Sequence, residues 1–97
     1  MNMATKSVNF NKSSIERLPN EKPVIYRIKT DGGKTNYVGV AQRGRVQDRI
    51  KEHLAYGKQP VPGEKVQIEQ MPSIDAAKAK EANIISQAGP KYNEQGK

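Results

Sequence analysis

A chain of 97 residues, 34% hydrophobic and with a single phenylalanine, buries only a thin core. One small domain is therefore expected and multi-domain architectures are excluded. The absence of cysteine removes disulfides and thiolate metal sites and suits the cytoplasm. No apolar run approaches the roughly 20 residues that span a bilayer, and the N-terminus lacks the apolar core of a secretory signal, so a soluble protein without a membrane partner is expected. The net charge of +7 arises from 17 Lys and Arg against 10 Asp and Glu, a balance that favours polyanions such as nucleic acid. Residues 59–97 hold five lysines against five acids, so the positive excess belongs to the first 58 residues. A solvated basic surface gives the same totals.

Residues 1–20 are rich in Asn, Ser and Lys and read as a flexible tail. Ser13–Leu18 offers at most one helical turn ahead of Pro19. The domain proper spans residues 21–97. Residues 23–29, rich in β-branched and aromatic side chains, predict a strand that Pro23 can start. Asp31-Gly32-Gly33 predicts a turn, and residues 36–40 the returning strand. Gly39 inside that strand suggests close approach of another group to the backbone. Residues 44–56 predict a helix whose apolar stripe is Val46, Ile50 and Leu54, with Gly57 at a C-terminal capping position. Residues 58–64 carry two prolines and a glycine and predict a loop. Residues 65–71 alternate like a half-buried strand ended by Pro72. Ser73 then caps a helix over 74–88, with Asp75 favourably placed in its first turn and Gly89-Pro90 at its end. The order β-β-α-β-α predicts a small α/β (α+β type) fold, a short central sheet flanked by helices.

On the second helix the apolar stripe is Ile74, Ala77, Ile84, Ile85 and Ala88, and Glu81 falls within it. A carboxylate there is costly unless it is paired, metal-bound or at a cleft edge. The plain alternative is a Glu that swings into solvent or meets an arginine. On the first helix Arg49 and His53 stand four residues apart and flank the apolar stripe. Guanidinium suits a phosphate or its transition state, and imidazole can exchange a proton near neutral pH. The alternative is a wet surface where Arg49 pairs with Asp48 or Glu52. His53 is the only histidine, so no histidine-rich metal site is available. Tyr26 and Tyr37 both lie in the hairpin, where a hydroxyl can orient a water or merely cap the sheet face. Asn93 could bind phosphate or cap the chain end.

Taken in order, Val24-Ile25-Tyr26, Tyr37-Val38-Gly39, Arg49-x-x-x-His53, a helical Glu81 and Pro90-Lys91-Tyr92-Asn93 resemble the GIY-YIG nuclease domain, over residues 23–94. The first motif has Val24 where the family name has Gly, and the second has Val38 where it has Ile. The resemblance implies a small sheet flanked by helices and hydrolysis of phosphodiester bonds. It implies that Glu81 holds one Mg²⁺ or Mn²⁺, and that a tyrosine, Tyr26 ahead of Tyr37, positions or activates the attacking water. Arg49 and His53 would then stabilise charge on the phosphate. Arg43, Arg45, Lys51 and Asn93 would contact the nucleic acid, taken first as DNA, without reading sequence. Family members often cut where an attached domain takes them; 97 residues leave no room for one, so a recruiting protein or a separate recognition domain is an expected partner. The rival reading is a non-catalytic nucleic-acid-binding module on the same scaffold. A second rival is an interaction protein whose basic face meets an acidic partner.

Overall fold

The structure, a computed structural model, describes residues 5–90, 92 and 93. Its elements in chain order are β1 (Thr5–Asn9), α1 (Lys12–Ile15), β2 (Val24–Lys29), β3 (Thr35–Ala41), α2 (Val46–Lys51), β4 (Lys65–Gln70) and α3 (Ile74–Ala88). The four strands form one antiparallel sheet in the order β1-β4-β2-β3. The α+β class and the predicted hairpin, helix, strand and helix are present, but the expected β-β-α-β-α order lacked a strand and a short helix at the front.

That front segment corrects the reading of residues 1–20 as a flexible tail. Thr5–Asn9 pairs with Lys65–Glu69 of β4, and Ile15 and Leu18 are buried. The strand escaped notice because it is polar on both faces: in Thr5–Asn9 only Val8 packs on the core. It forms because β4 would otherwise present an unpaired edge. Residues 1–4 lie outside the described residues. Asn11 caps α1 by accepting from Ser14 N at 2.8 Å. The chain beyond α1 fixes α2: Asn20 Oδ1 accepts from Val46 N at 2.8 Å and the Gln47 amide donates to Leu18 O at 2.7 Å. Arg45 makes no side-chain cap of its own, so a residue 26 positions earlier caps this helix.

Strand alternation divides the core between the two faces. On one face Val24, Tyr26 and Ile28 of β2, Ala41 of β3, and Val66 and Ile68 of β4 pack with Ile15, Leu18, Val46, Ile50, Leu54 and Val61. On the other, Ile25, Val38 and Met71 pack with Ala77, joined by the partly buried Val40, Ile74, Ile84 and Ile85. The sheet therefore lies between α1 and α2 on one side and α3 on the other. The predicted first-helix stripe held, Val46, Ile50 and Leu54 all being buried, while of the second-helix stripe Ala77 is buried, Ile74, Ile84 and Ile85 are partly buried and Ala88 is exposed. Ser73 accepts from Ala76 N at 3.1 Å, and Gly89 takes the left-handed conformation, φ 54°, that ends α3.

The first helix is shorter than the predicted 44–56. After Lys51 the bonds tighten to the i→i+3 pattern, His53 N to Ile50 O at 3.0 Å and Leu54 N to Lys51 O at 3.1 Å. The loop then folds back, with Gln59 N donating to Glu52 O and Val61 N to His53 O, both at 2.9 Å. Gly57 belongs to this reversal, because a Cβ there would strike the Glu52 carbonyl.

Candidate functional site

Tyr26 stands opposite Gly39 in the β2–β3 register, and its ring crosses the space where a side chain at 39 would be. A Cβ on Gly39 would lie 2.5 Å from both Cζ and the hydroxyl oxygen of Tyr26. The close approach expected at Gly39 is thus made by Tyr26. The same side chain is completely buried, and its hydroxyl lies 2.8 Å from His53 Nε2. The other ring nitrogen, Nδ1, is 2.9 Å from the Gln59 carbonyl oxygen. A carbonyl only accepts, so the neutral ring carries its proton on Nδ1, and Nε2 accepts from Tyr26. Tyr37 completes the group, its ring centroid 6.1 Å from Tyr26 and 4.5 Å from His53.

This geometry corrects two expectations. His53 is not a surface neighbour of Arg49 on one helical face. The tightened turn after Lys51 drives it into the core, 2% exposed, while Arg49 stays exposed. Tyr26 does not face attacking water, since it has no exposed surface and its proton is committed to His53. Tyr37, half-buried, is the tyrosine of the pair with surface in solvent.

The charges confirm which groups are neighbours. Burial raises the Tyr26 hydroxyl pKa well above its ordinary value, and Tyr37 adds to this; Arg49 opposes the rise while Glu52 and Glu81 support it. Burial also raises Tyr37, as does Glu81, against the opposing Arg49 and the Tyr26 hydroxyl. Burial pushes the His53 imidazole below its usual value, only partly countered by its bond to the Gln59 carbonyl and by Glu52. Glu81 is raised by desolvation and pulled back by Arg49 and Lys78. Glu81 is half-buried, and among the described residues it forms no ion pair. Neither does Arg49, because Asp48 lies 3.9 Å from Arg45 instead. The two surface pairings that would have explained Arg49 and Glu81 away are therefore not made.

Of the expected nucleic-acid contacts, Arg43 and Arg45 are exposed in the turn before α2. Lys51 bonds the Glu16 carboxylate at 3.0 Å. Asn93 is bound on both sides of its amide: Oδ1 accepts from Val38 N and Nδ2 donates to Val38 O, each at 2.8 Å. Its amide thus clamps the outer edge of β3 beside Tyr37 and is not displayed for a phosphate. Lys91 lies outside the described residues. Sequence reasoning missed Glu52, Lys78 and the Gln59 carbonyl. Lys78 precedes Glu81 by three residues on α3, a spacing that puts both on one helical face and was there to be read; the Gln59 contact depends on a loop reversal with no local signature.

Among the described residues no group of three or more His, Cys, Asp or Glu comes together. A metal in this site would rest on Glu81 alone, with water and substrate oxygens as its other ligands, an arrangement that suits Mg²⁺. An unpaired, half-buried carboxylate fits that use. Compared with known families and with curated proteins, the sequence matches no family model and no curated relative.

Proposed function

We propose that this protein is a metal-dependent endonuclease that hydrolyses phosphodiester bonds in nucleic acid, DNA in the first instance, on a GIY-YIG-like scaffold. The observation that carries the reading is that Arg49 on α2 and Glu81 on α3, which form no ion pair among the described residues, both bear on the half-buried Tyr37. They come from opposite sides of the sheet, from helices that have no structural need of each other.

Glu81 is the residue that would hold one Mg²⁺ or Mn²⁺. When bound, such an ion stabilises negative charge on the scissile phosphate and its leaving oxygen. Arg49 offers a planar, permanently charged donor set to a non-bridging phosphate oxygen, and its value rises as charge develops in the transition state. Tyr37 orients the attacking water through its hydroxyl. Tyr26 and His53 do not reach substrate; they hold the Tyr37 ring from behind, and the Gln59 carbonyl fixes the imidazole tautomer. The products expected from the resemblance carry 5′-phosphate and 3′-hydroxyl ends.

The test is incubation of the purified protein with plasmid, single-stranded DNA and RNA in Mg²⁺, with and without EDTA. Nicking that requires the metal and disappears in a folded Glu81→Ala variant supports the reading. A wild-type protein that cuts none of these substrates, or a Glu81→Ala variant that still cuts, refutes it.

A further inference from the structure

A cleft of about 290 Å³ opens beside the site at the end of β3, lined by Val40, Ala41 and Gln42 of the sheet end, Arg45 at the N-cap of α2, Arg49 of α2, and Ile74 and Lys78 of α3. Arg49 belongs to both cleft and site, so the two are continuous. Arg45 stands at the N-cap of α2, four residues before Arg49, and Lys78 precedes Glu81 by three on one face of α3, so each site residue has a cation behind it on the cleft side. Lys78 forms no ion pair among the described residues and is exposed. Arg45 has only a long, solvent-exposed contact to Asp48, 3.9 Å, of a kind that holds little energy. No acidic side chain lines the cleft. The other basic face of α2 differs, because Lys51 is already engaged by Glu16.

We propose that Lys78 and Arg45 each bind a phosphate next to the scissile one, so that the substrate strand threads the cleft between α2 and α3 and does not cross the Lys51 face. This rests on the nuclease reading and adds the path of the strand. The ligand is a phosphodiester of a nucleic-acid strand. Recognition is by charge, so the contact carries no base preference. Lys78 and Arg45 are positioning residues; the reacting atoms are left to Arg49, Tyr37 and Glu81.

The experiment measures binding of a fluorescent duplex and of a single strand in EDTA, over a range of KCl, and so does not depend on cutting. Each phosphate contact contributes about 0.9 to the slope of log K against log salt on duplex. Lys78→Gln is expected to lower the slope by about 0.9 and to weaken binding about eightfold near 0.1 M salt. The double variant with Arg45→Gln loses about twice that slope, and Lys78→Arg restores it. In Mg²⁺-supported cleavage the loss in Lys78→Gln falls on KM. Lys51→Gln keeps the wild-type slope. The inference is overturned if Lys78→Gln binds like wild type, or if Lys51→Gln lowers the slope and Lys78→Gln does not. A protein that binds with this pattern but never cuts leaves the strand path standing and removes the nuclease reading; one that binds neither probe removes both.

Discussion

Gly39→Ala is the sharpest single perturbation of this site, because it adds one methyl group at a buried position directly against the Tyr26 ring. The new Cβ meets Cζ and the hydroxyl oxygen of Tyr26 at 2.5 Å, well inside van der Waals contact, and Tyr26 is packed on every side. Its ring must tilt away, which costs about 1–3 kcal/mol of overpacking. The tilt also withdraws the hydroxyl from His53 Nε2, leaving a buried acceptor unpaired at about 1–3 kcal/mol. The sum is about 2–6 kcal/mol, a large share of the roughly 5–15 kcal/mol by which small domains are stable. Each kcal/mol moves the midpoint of a domain this size by about 4–8 °C, so the melting temperature should fall by at least about 8 °C. Circular dichroism in urea and on heating reads the loss. Tyr26→Phe alone should cost about 1–3 kcal/mol, since it orphans the same nitrogen. That cost cannot be incurred twice, so the double variant should be more stable than additivity predicts by about 1–3 kcal/mol. A Gly39→Ala protein within about 0.5 kcal/mol of wild type, the range of an ordinary surface change, would refute the packing argument. Strict additivity with Tyr26→Phe would refute the shared hydrogen bond.

Glu81 has its carboxyl pKa raised by burial; its contribution to stability is fully present below the unfolded value near 4.5 and is lost as pH rises through the folded value. Glu81→Gln should therefore melt above wild type at pH 7, with the gap closing near pH 4, and thermal melts at the two pH values check this. His53 is lowered, so its contribution is present above the unfolded value near 6.5 and is lost as pH falls through the folded value. Proton NMR of this sole histidine should show a titration midpoint below 6.5, and a midpoint at or above 6.5 would contradict its burial. Asn93→Leu removes two bonds to Val38 and should cost about 1–3 kcal/mol, with the Val38 amide exchanging with solvent markedly faster; an amide as protected as in wild type would show that the clamp is incidental.

The legible parts of this chain are those whose signals are local. Residues 24–29 announce themselves by β-branching, Ser73 and Gly89 bracket α3 by capping chemistry, and Gly39 declared a close approach without saying to what. The apolar spacing of α3 was enough to single out Glu81. Misreadings came where distant partners decided. Thr5–Asn9 has no pattern of its own and is a strand because β4 pairs with it. The Val46–Leu54 stripe is buried as read, but the helix ends at Lys51 because Gln59 and Val61 draw the next residues into a reversal. That reversal turned His53 from an expected phosphate contact into a buried partner of Tyr26, and leaves Tyr37 as the tyrosine of the pair with exposed surface. The role of Asn93 was misread because its partner is backbone 55 residues away.

The position of β3 explains why a site can exist here at all. A sheet separates the groups on its two faces, and a charge on α2 above a central strand would be screened from one on α3 by a packed apolar layer. β3 is the last strand of the sheet, so side chains from both faces can meet around its edge, as Arg49 and Glu81 do electrostatically. An open edge also invites pairing with another chain. The segment after α3 meets that hazard over part of the strand, with Tyr92 N donating to Asn36 O at 2.9 Å and Asn93 holding Val38 on both its backbone groups. The clamp brackets Tyr37 and holds its ring against Tyr26 and His53. Farther along, Val40 and Ala41 border the cleft between Arg45 and Lys78. One edge strand thus serves two ends: where it is clamped it fixes the backbone on both sides of Tyr37, and where it borders the cleft it leaves a groove flanked by Arg45 and Lys78.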